Sequence, residues 1–243
     1  MYHVALKRKF FYKENINLQR KYIMTLENYT REQFRDWLTH NHDTAKEVFI
    51  VIDRRKHSFL LKDYARKENI EEGDKETFHQ HDGQYKEGNI TYLEALEEAL
   101  CYGWIDSTVR KYGNCQDLCL QRFSPRRKNS HWTELNKARV EMLISQGLMT
   151  DAGLREYKKA KPFIIDTRIL KALEKDHKAY ENFLSMPQVY KRIRIDSIQS
   201  TNDNKIFSKR IIKFIEECKN NILCWKCEEK IKSFSLKESI YTI

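Results

Sequence analysis

The fold of this chain is decided by residues 91–147, TYLEALEEALCYGWIDSTVRKYGNCQDLCLQRFSPRRKNSHWTELNKARVEMLISQG. Thr91 and Glu94 have the spacing of a capping box, in which each side chain accepts a hydrogen bond from the other residue's backbone N–H. The apolar residues that follow have helical spacing and form one stripe: Tyr92, Ala95, Leu96, Ala99 and Leu100. We expect Gly103 to end this helix, and Glu98 to lie away from the stripe, towards solvent or a partner surface.

Two strands are predicted next. Residues 105–112 and 118–124 contain β-branched and aromatic side chains, and the Gly113-Asn114 link favours a hairpin. Pro125 is expected to end the second strand. Further upstream, residues 47–53 (EVFIVID) are the most β-like segment of the chain, and they are expected to form the central strand of a small sheet.

Helix-start signals occur on both sides of this region. Ser130 is the expected N-cap of a helix whose apolar face comprises Trp132, Leu135, Ala138, Met142 and Leu143. Gly147 is expected to end that helix, and Thr150 to cap another. Upstream, Thr30 and Gln33 have the spacing of a second capping box. It predicts the start of a helix whose core-facing residues are Phe34, Trp37 and Leu38.

Three motifs of this region closely resemble the signature of the bacteriocin-protection family, also called YdeI/OmpD-associated. They are residues 92–107 (YLEALEEALCYGWIDS), residues 123–136 (FSPRRKNSHWTELN) and residues 147–153 (GLMTDAG), in the family's order. The resemblance is closest over residues 29–161 and continues more faintly to residue 213. It implies protection against bacteriocins and antimicrobial peptides, without an established reaction or ligand.

Together these signals predict an α+β, mainly helical fold, with a small antiparallel sheet of about three strands packed by helices and a C-terminal helical region. Residues 1–23 are expected to be a basic N-terminal extension. Residues 24–161 are the predicted family-like core, with an inserted loop over residues 57–89, and residues 162–243 form the helical region.

The C-terminal region has its own apolar pattern. Its expected anchors are Leu170, Leu173 and Phe183. Pro187 is expected to begin a helix. A later stripe has helical spacing and predicts a final helix with one buried face: Phe207, Ile211, Phe214, Ile215 and Cys218.

The chain is basic, with a formal net charge of +10 and a pI of about 9.2. This favours an acidic protein partner or an anionic small molecule. Acidic residues are interspersed throughout, so a solvated lysine-rich surface is the favoured interpretation, and a nucleic-acid partner is unlikely. Nothing resembles a signal peptide, and no window approaches the ~20 apolar residues of a membrane span, so a cytoplasmic location is expected.

The best candidate site is the basic run at Arg126 and Arg127, which precedes the expected helix start at Ser130. Two guanidiniums beside free N–H groups can bind phosphate or carboxylate. The rest of the candidate set is Asp106, Glu98, Trp104, Trp132 and Asn136, with the tryptophans lining a cleft. The alternative is structural: either arginine forms an ion pair with Asp106, Glu98 or Glu134, and the tryptophans belong to the core.

Other constellations are weaker. Cys224 and Cys227 form a CxxC that is a weak metal candidate, together with Cys115 and Cys119, but free thiols are favoured. No catalytic residue and no cofactor is predicted. The first functional hypothesis is a non-enzymatic tolerance protein that acts by binding. The second is an enzyme or sensor of an anionic metabolite at an Arg126/Arg127/Asp106 cleft, and the third is nucleic-acid binding.

Overall fold

A computed structural model of the chain describes residues 24–53 and 90–222. The predicted extension over residues 1–23, the predicted loop over residues 57–89 and the CxxC cysteines lie outside the described residues. The described residues are mainly helical with one small sheet, so the predicted fold class is confirmed. They form two compact units, and the predicted domain division at residue 161 stays a prediction.

The first unit comprises residues 24–53, 90–128 and 150–155. Its sheet has four strands, which are β1 (Thr25–Leu26), β2 (Val48–Asp53), β3 (Trp104–Tyr112) and β4 (Cys115–Pro125). The strand order is β1-β2-β4-β3. β4 pairs in antiparallel fashion with β3, as the predicted hairpin, and with β2, so β2 and β4 share the centre of the sheet. Every residue of β2 is buried. The strand β1 was not predicted, and it runs parallel to β2.

Two helices of the first unit begin as the sequence indicates. In α1 (Arg31–Asn41) the capping box of Thr30 and Gln33 is complete, and in α2 (Tyr92–Cys101) that of Thr91 and Glu94 is complete. Gly103 follows α2 with φ of 75°, the left-handed conformation in which glycine is least strained. Buried residues of the two helices include Phe34, Leu38, Ala95, Leu96, Ala99 and Leu100.

The second unit comprises residues 129–149 and 156–222. Its first helix, α3 (Glu134–Ser145), begins three residues later than the prediction. Thr133, rather than Ser130, is the N-cap, and its hydroxyl accepts from the Asn136 N–H at 3.2 Å. The prediction was wrong because two hydroxyl residues with equivalent capping chemistry lie three positions apart. The helix α4 (Asp151–Tyr157) crosses from the first unit to the second.

Four helices complete the second unit: α5 (Thr167–Glu174), α6 (His177–Ser185), α7 (Gln188–Gln199) and α8 (Asn204–Lys219). Pro187 immediately precedes α7, as predicted. Ile169 is fully buried in α5 where Leu170 had been expected, and Leu170 is half-buried. The core shared by these helices comprises Ile169, Leu173, Ala179, Phe183, Met186, Tyr190, Ile195, Ile198, Phe207, Ile211, Phe214 and Cys218.

Candidate functional site

The basic run lies where the last strand of the first unit ends. Arg126 follows β4 and is buried, and its backbone N–H donates to the carbonyl of Gly103 at 3.3 Å. This contact fixes the start of the run against the turn that follows α2. Arg127 and Lys128 are exposed. The run therefore has a buried guanidinium at its start and two exposed cations after it.

Trp104 belongs to the core of the first unit. It is 1% exposed and lies opposite Pro125 in the β3–β4 register. Its indole Nε1 donates to the carbonyl of His42 at 3.0 Å, and its ring meets Trp37 edge-on at 5.8 Å between centroids. These contacts satisfy both the apolar ring and the polar N–H of a buried tryptophan.

Asp106 and Glu98 have partners other than the arginines of the basic run. Asp106 on β3 accepts a hydrogen bond at its Oδ2 from the Tyr92 hydroxyl, at 2.8 Å. Glu98 on α2 is 2% exposed, so the expectation that it faces solvent or a partner was wrong. A buried carboxylate requires charged partners, and those partners come from α1.

Glu98 is the centre of an ionic network, here called the Glu98 network, with Arg31, Arg35 and Glu97. Its Oε1 accepts from Arg31 Nε at 2.6 Å and its Oε2 from Arg35 NH1 at 2.7 Å. Arg31 also contacts the Glu97 carboxylate at 2.9 Å. Two carboxylates and two guanidiniums neutralise one another, so this network joins α1 to α2 without leaving a net charge for a ligand.

The electrostatics around the Glu98 network raise the pKa values of its two arginines and of a neighbouring thiol. Burial by itself lowers the pKa of Arg31 and of Arg35, but the hydrogen bonds that these guanidiniums donate to Glu98, together with the neighbouring negative charges, outweigh it, and the net shift of each pKa is upward. Burial, followed by the charge of Glu98, raises the pKa of the Cys101 thiol to about 11. Cys101 is therefore a protonated, unreactive thiol at neutral pH.

The remaining candidates lie in the second unit. Trp132 precedes α3, is 6% exposed and meets the Tyr157 ring edge-on at 5.4 Å. Asn136 is buried on α3, and its Oδ1 accepts from Arg139 NH1 at 2.7 Å. Ser130 is half-buried. The side chains of Trp132 and Asn136 thus make contacts that stabilise their own unit.

A second ionic network, here called the Glu134 network, lies in the same unit. Glu134 is 2% exposed and is paired with Lys137 on its own helix and with Arg192 on α7, the latter at 2.7 Å. Arg192 also contacts Glu141 at 3.0 Å. Lys137 donates to the carbonyl of Lys161 at 2.6 Å. The network joins α3 to α7 around a carboxylate that has two cations.

Three further polar contacts lie at the edge of the Glu134 network. Asp196 accepts from the Glu134 backbone N–H at 3.1 Å, and its other oxygen lies 3.1 Å from His131 Nε2. The Tyr157 hydroxyl donates to Glu141 at 3.1 Å. Burial, followed by the charge of Glu141, raises the pKa of Tyr157 to about 12, so this phenol stays neutral at physiological pH.

The structure thus distributes the predicted site residues over two units. Arg126, Arg127, Asp106, Glu98 and Trp104 belong to the first, and the second contains Ser130, Trp132 and Asn136.

Sequence reasoning missed the cations that hold the buried carboxylates, namely Arg31, Arg35, Lys137 and Arg192. A signal was present for two of them, because Arg31 and Arg35 are four positions apart on one face of a predicted helix. The sequence held no indication of which carboxylate they meet.

Within residues 24–53 and 90–222, no cluster of three or more His, Cys, Asp or Glu side chains could hold a metal ion. Among the helices of those ranges, none combines the length and the apolar character needed to cross a bilayer.

Comparison with known families gives two matches. Residues 162–221 match the family described as "Bacteriocin-protection, YdeI or OmpD-Associated". Residues 67–156 match a "Domain of unknown function (DUF8412)". No curated protein and no solved structure matches the chain. The suspected resemblance to this family is therefore confirmed, over residues 162–221.

The match lies in a different part of the chain from the motifs that suggested it. The motifs at residues 92–107, 123–136 and 147–153 lie within the stretch matched by the domain of unknown function. The segment at residues 162–221 contains α5 to α8 and all twelve residues of their shared core. The matched segment therefore coincides with a four-helix core, whereas the motifs cover α2, the adjoining ends of β3 and β4, and the first residues of α3 and α4.

Proposed function

We propose that this protein contributes to tolerance of bacteriocins and related antimicrobial peptides, acting in the cytoplasm by binding rather than by catalysis. The match of residues 162–221 to the bacteriocin-protection family carries the proposal. The packing of that segment supports it, because the four helices share one continuous apolar core.

The ion pairs of the two buried carboxylates and the pKa values of two neighbouring groups also support a binding role. Glu98 and Glu134 each have two cationic partners, and Cys101 and Tyr157 have raised pKa values that keep them neutral. A general base or nucleophile instead needs a pKa near the working pH or an activating neighbour. These buried groups are arranged for stability.

The test is a comparison of peptide tolerance in the host cell with and without the gene. We expect deletion to lower the concentration of bacteriocin or cationic peptide that stops growth, and re-expression of the wild-type chain to restore it. Unchanged tolerance in the deletion strain, under conditions where the protein is shown to be expressed, would refute the proposal.

A second candidate function is recognition of an anionic small molecule at the basic run. It is favoured by one observation: Glu98 and Glu134, two of the carboxylates expected to neutralise Arg126 and Arg127, are bound by other cations. Arg127 and Lys128 are exposed and therefore accessible to a phosphate or carboxylate group.

A thermal-shift screen with inorganic phosphate and simple carboxylates tests this second candidate. We expect stabilisation of the wild-type chain that is lost in Arg127→Gln, a substitution at an exposed position. Lys159→Gln, at an exposed position of the second unit, is the matched control and should respond like the wild type. Equal responses in all three proteins would show that the basic run is not the site.

A further inference from the structure

The segment that leads into α5 is extended and held in place by a side chain of α7. Residues 160–166 contain no helix, turn or bend. The side-chain amide of Gln199 donates to the carbonyl of Ile164 at 3.1 Å and accepts from the backbone N–H of Asp166 at 2.7 Å. Binding the carbonyl of one residue and the N–H two positions later is how a residue of a parallel strand pairs with its neighbour. The backbone here is therefore fixed in a strand-like conformation.

The two sides of this segment differ in their hydrogen bonds. In an extended chain, the N–H and C=O of one residue point to one side, and those of the next residue point to the other. Ile164 therefore faces Gln199, whereas the backbone groups of Phe163 and Ile165 face the opposite side. Within residues 24–53 and 90–222, neither Phe163 nor Ile165 has a partner for a backbone hydrogen bond. Two N–H and two C=O groups thus form an unpaired strand edge.

The side chains of the segment follow the same alternation. Phe163 and Ile165 are half-buried and pack against the core of α5 to α8. Ile164 is 75% exposed, the largest fraction for a large apolar side chain in the part of the chain that the structure describes. A single exposed isoleucine is ordinary on a protein surface. Here it belongs to an ordered backbone with one unpaired side, which is the arrangement of the edge strand of a sheet.

The backbone and the charges of this edge define the kind of partner that fits it. Two alternate residues that each offer an N–H and a C=O match the hydrogen-bonded pairs of an antiparallel strand, whereas a helix uses its backbone groups internally. Lys161 is exposed at the start of the segment, and pairing stops there because its carbonyl accepts from Lys137 at 2.6 Å. At the other end, Asp166 is neutralised by Arg168 at 2.7 Å. The charge beside the edge is therefore positive, which favours an acidic partner.

We infer that residues 161–166 are a docking edge for an extended, acidic segment of another protein, which adds to them as an antiparallel strand. The backbone of the partner pairs with Phe163 and Ile165, and one of its apolar side chains lies beside Ile164. Because the strands run in opposite directions, a carboxylate near the C-terminal end of the partner segment faces Lys161. This inference is carried by the edge itself and does not depend on the proposed function.

The test measures binding of a synthetic peptide to the full chain. The peptide alternates valine and threonine and ends in two glutamates. The control peptide has the same sequence with N-methyl groups on every second backbone amide, on the side that would pair. We expect the first peptide to bind and the N-methylated one to bind at least about tenfold more weakly, because it loses hydrogen bonds to the edge. Binding should also protect the amides of Phe163 and Ile165 from hydrogen exchange.

Two pairs of variants at exposed positions locate the site. Ile164→Ser should weaken binding about threefold, whereas Ile212→Ser, which changes a 64% exposed isoleucine of α8, should bind like the wild type. Lys161→Gln should weaken binding by a smaller factor, and Lys175→Gln, at an exposed position of the same unit, is its control.

Four outcomes would each overturn the inference. Three of them concern the peptides: equal binding of the N-methylated peptide, equal loss in the two isoleucine variants, or no binding of the alternating peptide. The fourth is dimerisation of the chain that protects the amides of Phe163 and Ile165 without any peptide, because the occupant of the edge would then be a second copy of this chain.

Discussion

The two units of this chain bury a carboxylate with the same number of cations but in different surroundings. In the first, Glu98 is bound by Arg31 and Arg35, whose side chains are 31% and 33% exposed. In the second, Glu134 is bound by Arg192 and by Lys137, whose side chain is only 9% exposed. The two buried carboxylates therefore have different roles. Glu98 holds α1 against α2 through partly exposed arginines, whereas Glu134 neutralises a lysine ammonium that has little access to water.

The units also differ in how far apart in sequence their contacts lie. The first depends on pairing of β2 with β4, which are separated by a long stretch of chain, and on arginines 67 and 63 residues away from Glu98. The core of the second is formed by four consecutive helices. Local contacts need less loop closure than distant ones.

Each unit also has a buried thiol, Cys101 in the first and Cys218 in the second. Labelling of each thiol measures how far its own unit has opened.

The largest effect is expected from removing a fully buried leucine in either unit. Leu38→Ala in α1 and Leu173→Ala in α5 are matched, since both side chains are 0% exposed. Each should lower the free energy of unfolding by about 3 kcal/mol, roughly a hundredfold in the opening equilibrium. Because each unit has its own core, L173A should mainly expose Cys218, and L38A should mainly expose Cys101.

Peptide-resolved thiol labelling in increasing urea measures both openings in one sample. Burial raises the pKa of Cys101 to about 11 and that of Cys218 to about 12, so both thiols react only when exposed. Wild-type protein under the same conditions is the control. If either variant exposed both thiols to the same extent, the two units would unfold as one, and the comparison would fail.

A smaller but more selective effect is expected from removing the charge of the two buried carboxylates. Glu134→Gln leaves the ammonium of Lys137 buried without its counter-charge and should cost about 3 kcal/mol. Glu98→Gln should cost about 1 kcal/mol, because Arg31 and Arg35 are partly exposed and recover water. Urea unfolding at constant pH measures both. If Glu98→Gln lowered the free energy of unfolding as much as Glu134→Gln, the exposure of the partner cations would not determine the cost of losing the carboxylate charge.

Local signals explain which features could be predicted from the sequence. The capping boxes at Thr30 and Thr91, the hairpin ending at Pro125 and the buried stripe of α8 each depend on residues within a few positions of one another. The strand β1 has only two residues and no alternating pattern, so nothing in the sequence distinguishes it. Its position is determined by pairing with β2.

The buried state of Glu98 shows why the candidate site was harder to predict than the fold. On α2 alone, Glu98 lies off the apolar stripe, which favours solvent exposure. The two arginines that allow its burial belong to α1, and their approach depends on tertiary packing. A single sequence contains the charges but not the pairing. The assignment of Arg126 and Arg127 to a ligand therefore stays a prediction, which the Arg127→Gln screen tests.

The smallest effect concerns the helix caps, in which the units also differ. Threonines cap α1 and α2 in the first unit, whereas aspartates cap α5, α6 and α8 in the second. The Asp176 carboxylate accepts from the Ala179 N–H at 3.0 Å, and this hydrogen bond, opposed by slight desolvation and aided by Lys219, lowers the pKa of Asp176. A carboxylate whose pKa is lower in the folded state stabilises the fold above its unfolded pKa of about 3.9.

That contribution is lost as the pH falls through the folded pKa. We expect Asp176→Asn, which keeps a capping oxygen but not the charge, to be less stable than the wild type at pH 7, and the difference to shrink as the pH falls below about 3.9. Thr133→Ala removes a hydroxyl cap in the same unit and should cost about 1 kcal/mol both at pH 7 and near pH 3. Urea unfolding at each pH measures the two differences. If the wild type kept its full stability advantage over Asp176→Asn at pH 3, the cap would act through its geometry rather than its charge. The aspartate caps would then not make the second unit more sensitive to acid.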